Sequence, residues 1–313
     1  MSCIRKFYIV ILLNRRDNYG LLPSKVTGCS SGLGRSFAKI IHNAGHRVVP
    51  TARNINSPSY LPDDSNVLKL SLDVTSKEAI TKAVNNAVEK FGRINILINN
   101  AGYALMGDTE AIPEGYARNQ LETNFRGPVR LTQEILPVFR NINPPQSGGT
   151  VVQISSIGGW LAFPGGAFYY ASKFALEAFA EAVSKEMLPD WNIKFLIVEP
   201  GAVHTKFAGS NLKIISRHPA YDTPSGPLTQ LLRYATTASQ DSWSDPDIFG
   251  KVLFDIVVNQ QTRTLPIRLL LGSESIPLIK ADIQKTLDEM QAWKEDIIRC
   301  SPGGSSELAS FGL

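Results

Sequence analysis

Cysteine is scarce in this chain: Cys3, Cys29 and Cys300 are scattered over 313 residues, with no CxxC pair and no Cys/His ligand spacing. That argues against a disulfide framework and a zinc site, so no metal is expected and a reducing compartment, the cytoplasm, is the expected location. Neither sign of charge dominates: 32 Lys and Arg stand against 28 Asp and Glu, a formal +4. A nucleic-acid partner or a membrane-surface role gains no support from that balance. Long apolar runs are missing as well. Phe7–Leu13 (FYIVILL) follows Arg5 and Lys6 in the manner of a signal peptide. It falls far short of the ~20 apolar residues that a spanning helix needs, and no small-residue cleavage site follows it. It reads as a buried strand, and no stable membrane insertion is expected. There is no internal repeat and no low-complexity block.

What the chain does contain is an alternation. His46–Ala52, Val67–Leu72, Ile94–Ile98, Thr150–Ser155 and Ile193–Val198 are strand-length runs rich in Val, Ile and Leu. Between them Gly34–Ala44, Ser76–Phe91, Glu114–Phe139 and Phe168–Leu188 carry apolar residues at helical spacing, with Ser76 placed to start its helix. Strands buried on both faces and separated by helices predict an α/β fold, a doubly wound parallel sheet of Rossmann type with helices on both faces. The organisation read from this is an atypical segment 1–25, one catalytic domain over 26–301, and a disordered tail 302–313. Residues 208–247, rich in Pro and Ser, are too long for an ordinary connection and read as a lid. Ile283, Leu287, Met290, Trp293 and Ile297 form an apolar stripe on a C-terminal helical extension, expected to pack on the domain.

Four local patterns carry chemistry. Thr27-Gly-Cys-Ser-Ser-Gly-Leu-Gly34 sets glycines at 28, 32 and 34, which let backbone approach a pyrophosphate in front of a helix N-terminus. Asn99-Asn-Ala-Gly102 ends the strand INILI, where small residues and amides suit a turn beneath a ligand. Tyr169 and Lys173, in YYASK, sit one helical turn apart on one face. Ser156 ends the strand TVVQISS. Each pattern alone is unremarkable.

Together and in this order, TGCSSGLG, LDV (72–74), NNAG, the Asn124 of ETNFRG, ISS, YYASK and EPGAVHT (199–205) resemble the short-chain dehydrogenase/reductase family. The resemblance runs from about Val26 to Thr205, and the form TGxxxGxG is that of its shorter, single-domain branch. RLLLGSES (268–275) with the helix after it is similar to the extension of many fungal and bacterial members. The resemblance implies a hydride transfer between a nicotinamide and a carbonyl carbon, with Tyr169 as acid/base. A free phenol titrates near pH ~10, so Lys173 and the oxidised nicotinamide are expected to lower it. Ser156 is expected to bond the substrate oxygen, Lys173 the ribose hydroxyls, and Asn124 a water leading from Lys173 to solvent. Tyr170 lacks a lysine one turn on, and Ser155 points away from Ser156 by strand alternation, so neither is preferred. The resemblance also assigns dinucleotide contacts to Gly28, Ser30, Ser31, Gly32, Leu33, Gly34, Asn100, Ala101, Gly102, Pro200, Gly201 and Val203. Asp73 would flank the adenine and Thr205 the carboxamide.

In VVPTARN, the position at which NAD-preferring relatives carry an acid is Ala52, and Arg53 follows. A missing carboxylate beside a guanidinium suits a 2′-phosphate, so NADP(H) is the expected cofactor. Trp160, Leu161, Phe163 and Phe168 near the active positions, with Phe207 opening the lid, suit a lipophilic ketone, aldehyde or secondary alcohol. The competing reading is a dinucleotide sensor or scaffold without turnover. Relatives often form homodimers through the helices carrying Asn124 and Tyr169; a monomer, with the extension over that surface, stays open.

The stretch before the glycines is discordant. A buried strand should feed the loop, yet Pro23, Ser24 and Lys25 stand there. Three readings compete: LLPSKV is the strand; Phe7–Leu13 is the strand with an insertion after it; or Ile11–Lys25 is an insertion in the translated sequence, whose removal gives KFYIV-VTGCSSGLG. The third is preferred.

Overall fold

The computed structural model describes residues 23–205, 212–237, 243–259 and 264–300; Phe7–Leu13, Phe207 and the tail from 302 lie outside them. The first described element is β1 (Pro23–Val26), so in the chain as written PSKV is strand, as the first of the three readings has it. β1 pairs in parallel with β2 (Arg47–Ala52) on one side and β4 (Ile96–Asn99) on the other, with β3 (Leu70–Ser71) beyond β2. Between them run α1 (Gly32–Asn43) and α2 (Lys77–Phe91), whose N-cap Ser76 accepts from Ala79 N at 3.1 Å. Pro23 opens the strand, where a missing N–H costs least, and its carbonyl still accepts from Asn95 N at 3.0 Å. Lys25 has no such relief. It lies in register between Val49 and Leu97, fully buried, and its Nζ has no hydrogen-bond partner. Burial lowers its pKa from 10.5 to about 7. Tertiary demand has overridden local chemistry here: the glycine loop sits at the sheet's carboxyl edge only if the four residues before Thr27 bridge β2 and β4.

The short β5 (Ala104–Met106) follows, then α3 (Glu114–Leu121) and α4 (Gly127–Pro137). The sequence predicts one helix over Glu114–Phe139; instead a wide π turn at Glu122–Arg126 separates α3 from α4. Gly127 fixes the junction, since a Cβ there would lie 2.9 Å from the Val74 carbonyl oxygen. β6 (Gly149–Ile154), α5 (Ala167–Glu186) and β7 (Ile193–Pro200) come next. β8 (Leu212–Ile214) pairs in parallel with β5 as a separate ladder, and α6 (Pro227–Thr237) follows. The predicted lid therefore holds regular elements among its described residues, because β5 offers β8 an edge. α7 (Pro246–Phe254) and β9 (Arg268–Leu271) complete a sheet of order β3-β2-β1-β4-β6-β7-β9.

The chain reverses direction across the sheet between β1 and β4, the switch point at which open parallel sheets bind ligands beyond their carboxyl ends. Alternate strand residues feed two cores. Val26, Ile96, Ile98 and Val152 meet Phe37 of α1 and Phe249 of α7. Val49, Leu97, Val151 and Ile197 meet Ile80 of α2, Leu131 of α4 and Ala180 of α5.

The chain divides into two units, 1–272 and 273–313. The second carries α8 (Ser275–Ala292) and α9 (Lys294–Cys300). The apolar stripe read from the sequence lies on this second unit, with Ile283, Leu287 and Met290 on α8 and Ile297 on α9. Helical spacing shows which side chains share a face and not whether anything covers them. Among the described residues no helix is long and apolar enough to cross a membrane.

Candidate active site

Thr27 ties the glycine loop to the end of β4. Its Oγ1 accepts from the backbone N–H groups of Asn100 and Ala101, both at 2.9 Å, and its carbonyl accepts from Asn100 Nδ2 at 2.8 Å. Gly28 takes φ +71° and Gly32 φ +54°, the left-handed region that side chains avoid. A Cβ on Gly34 would overlap the Gly28 carbonyl and stand 2.5 Å from Asn100 Nδ2; one on Gly32 would stand 3.2 Å from Thr205 Cβ. The loop is thus held close and bare in front of α1, with Ser31 as N-cap making no side-chain capping bond. Ser30 is exposed, and Ser31, Gly32 and Leu33 are half-buried. This cradle, which added Cβ atoms would fill, fits a dinucleotide pyrophosphate.

Around the cradle, Tyr60 OH donates to the Cys29 carbonyl at 2.9 Å, and the Arg35 guanidinium lies 4.7 Å from the Tyr60 ring centroid. Sequence reading missed both residues, since nothing local marks the 54–61 loop as returning to the glycines. Arg53 is exposed just past β2, its carbonyl accepting from Ser71 Oγ at 2.9 Å. Asp73 accepts from Thr75 N at 2.9 Å and Thr75 Oγ1 at 2.7 Å, and the backbone bond holds its carboxyl below the usual range. Gly201, after Pro200 of β7, donates to the Leu271 carbonyl at 3.0 Å, and Val203 bridges to Ser244.

Tyr169 and Lys173 are buried on one face of α5, with Lys173 Nζ 5.9 Å from the Tyr169 ring centroid. Ser156 is hydrogen-bonded to the Tyr169 phenol, and its Oγ accepts from Gly158 N at 3.0 Å. Ser155 faces the other way, donating to Glu177 Oε1 at 2.5 Å, as alternation predicts. Tyr170 stacks edge-on to Tyr169 at 5.4 Å and bonds to the backbone at Phe163. With no nucleotide present, burial raises the Tyr169 phenol above its ordinary value and outweighs the Ser156 bond, which favours the phenolate. Burial likewise lowers Lys173 to about 8, and Lys173 Nζ donates to the Ile154 carbonyl at 2.8 Å. Asn124 lies buried in the π turn. Its Nδ2 donates to Tyr103 O at 3.0 Å and Ser172 Oγ at 3.3 Å, and its Oδ1 accepts from Tyr103 N at 3.2 Å. The side chain of Asn124 therefore clamps Tyr103 against α5.

Phe168 packs with Tyr103 and Ile215 on Leu105, Ile112 and Ala117. Phe163 lies 6.0 Å from Tyr170, and Trp160 lies 5.5 Å from the Arg268 guanidinium. Just past β5, buried Asp108 accepts from Arg217 Nε at 2.7 Å and His218 N at 2.9 Å; Arg217 also donates to Thr229 Oγ1 and to the Tyr221 carbonyl. No cluster of His, Cys, Asp and Glu among the described residues could hold a metal.

Residues 25–213, more than half of the chain, match the family model described as short chain dehydrogenase. The oxidoreductase calM of Penicillium decumbens is 40% identical over 276 residues, which cover 86% of this chain and 90% of that protein. The crystal structure of a short-chain dehydrogenase from Streptomyces avermitilis superposes with a TM-score of 0.78 at 31% identity, covering 91% of this chain and 100% of that one. A short chain dehydrogenase from Burkholderia cenocepacia, solved in complex with NADP, shares the fold with a TM-score of 0.62 at 19% identity, covering 89% of this chain and 96% of its own. With the family model matched over residues 25–213 and a 40% identical oxidoreductase covered nearly end to end, this chain belongs to the short-chain dehydrogenase/reductase family.

Proposed function

We propose that this protein reduces a lipophilic ketone or aldehyde, or oxidises the corresponding secondary alcohol, with NADP(H) as cofactor and Tyr169 as the proton donor or acceptor. The observation that carries this reading is the Ser156–Tyr169 hydrogen bond with Lys173 one turn along the same buried helix face. When bound, the nicotinamide supplies or takes the hydride. Tyr169, protonated at neutral pH because burial holds its pKa up, gives its proton to a carbonyl oxygen. Gly158 N orients Ser156 Oγ, and the Ser156 O–H, on the Tyr169 phenol in the free protein, turns to that oxygen as charge builds on it. Lys173 uses one N–H on Ile154 O, which leaves the others for the ribose hydroxyls. Tyr103, Phe163 and Phe168 bring aromatic, uncharged surface to the substrate side, which supports a lipophilic substrate.

The test is a panel of ketones and aldehydes with NADPH, followed at the nicotinamide absorbance. Consumption with apolar carbonyls is expected, and none with any member of the panel would overturn the reading. For the cofactor, Arg53 stands where an acid would select the ribose hydroxyl, with Arg35 on the neighbouring side of the cradle. Arg53→Asp is expected to weaken NADPH binding by about 10- to 100-fold, as loss of a charged phosphate partner does, and to improve NADH binding. Fluorescence titration of both nucleotides measures this. An unchanged ratio of the two dissociation constants would remove Arg53 from the argument.

A further inference from the structure

One buried charge cluster beside the site has no part in the reaction as described so far. Glu177 lies on α5 one turn beyond Lys173 and is 1% exposed. Its carboxylate accepts from Ser155 Oγ at 2.5 Å and from Arg268 Nη1, which reaches it from β9 across 91 residues of sequence. Arg268 also donates to Glu199 Oε1 of β7 at 3.3 Å and to Glu181 Oε2 at 2.9 Å. Gly159 lies directly over the same carboxylate: a Cβ there would overlap Glu177 Oε1. Glu177 is therefore the floor under the turn Ser155–Gly159, the turn that Ser156 caps and from which it meets Tyr169.

Charge balance is unusual. One guanidinium faces three carboxylates, two of them buried, and burial together with the Glu177 charge raises Glu199 to about 7. Burial raises Glu177 as well, while its bonds from Ser155 and Arg268 and its contact with Glu199 favour its ionised form. The charged and titratable groups facing Glu177 are Tyr169, Lys173 and Glu181 on α5, Glu199 on β7 and Arg268 on β9; the 155–159 turn adds only hydroxyls and backbone. Among these, Glu177 is the group that favours the charged form of Lys173 against burial.

We propose that Glu177 is a positioning residue of this enzyme: its carboxylate seats the turn that presents Ser156, and its charge keeps Lys173 an ammonium. This rests on the reaction proposed above. It also makes Arg268, on the sheet's edge strand, an anchor of the active site.

Glu177→Gln keeps an acceptor for Ser155 and removes the charge. In the protein alone, the Lys173 titration read by NMR of 13C-labelled lysine is expected to move down by about half to one pH unit. With NADPH and a ketone, the basic limb of kcat/KM is expected to move down by the same amount. Ser155→Ala cuts the hydroxyl bond and leaves the charge, so about tenfold is expected to be lost from kcat, with the NADPH Kd and the Lys173 titration unmoved. Glu181→Gln, at the exposed end of the cluster, is expected to leave Lys173 and the profile where they are. The proposal is overturned if Glu177→Gln leaves both titrations in place and kcat within twofold. If that variant does not fold, Ser155→Ala decides: a loss of kcat at constant Kd supports it, and full kcat overturns it. An unaltered chain that consumes no NADPH with any carbonyl would instead overturn the reaction, and the lysine titration would still report whether Glu177 governs Lys173.

Discussion

Tyr169→Phe is expected to lower turnover with NADPH and a ketone by about 100- to 10,000-fold, the range over which a positioned acid acts. The dinucleotide Kd is expected to stay within about twofold, because the glycine cradle is built by residues 27–34 and 100–101 and not by the phenol. The ring is retained, so its packing against Tyr170 is kept and the fold has no reason to change. What is lost is a single O–H, bonded to Ser156 and held protonated by burial. No neighbour replaces it: Tyr170 is turned to the Phe163 backbone, Ser155 to Glu177, and Asn124 to Tyr103. Parallel kinetics and fluorescence titration separate the two effects. Retention of more than about a tenth of the wild-type kcat would remove Tyr169 from the role of acid.

Lys25→Val is expected to stabilise the protein, unusually for a substitution in a central strand. An unpartnered ammonium whose pKa falls from 10.5 to about 7 on folding costs on the order of 5 kcal/mol at pH values below 7. The sign follows from the protons bound. Between pH 7 and 10.5 the unfolded chain holds a proton at Lys25 that the folded chain has released. Stability therefore rises with pH across that window, and the cost is largest below it. Valine fits the row of Val49, Leu97 and Val151 in which Lys25 stands. Guanidinium unfolding at pH 6.5 should show a gain of several kcal/mol for Lys25→Val, shrinking by pH 9. Equal stability of the two proteins at pH 6.5 would mean that Lys25 is not a buried, unpaired charge. The same position bears on the inserted segment read from the sequence, which stays a proposal. Without Ile11–Lys25, Val10 joins Val26 directly and takes the place of Lys25, with Ile9 and Tyr8 before it. Detection of the tryptic peptide Asp17–Lys25 in the native protein would end that proposal.

Lys25 also marks the limit of what the sequence could tell. Where a signal is local, it was legible: glycines forced to positive φ, Ser76 capping α2, Ser155 and Ser156 on opposite sides of a strand end. Where an outcome depends on partners distant in sequence, it was not. Pro23-Ser24-Lys25 argues against a strand, and only the need to bridge β2 and β4 makes it one. Glu114–Phe139 has helical periodicity throughout, and the π turn that holds Asn124 comes from Gly127 packing on Val74. Glu177 resembles any polar residue on a long helix until Arg268 arrives from β9. An acidic residue one turn past the lysine of YYASK, on the buried face, was the one available hint.

The clamp that Asn124 places on Tyr103 also links parts of the chain that need not otherwise move together. Tyr103 leads into β5, β5 carries β8 on its edge, and Asp108 just beyond holds Arg217, His218 and, through the guanidinium, Thr229 and Tyr221. Loosening 212–229 means peeling a ladder and uncovering a buried carboxylate at the same time, so these residues open as one cooperative unit and do not fray one by one. The inner end of that unit is the asparagine at the back of the active site. Opening of 212–229 and the order of Tyr103 are thus two readings of a single local unfolding equilibrium.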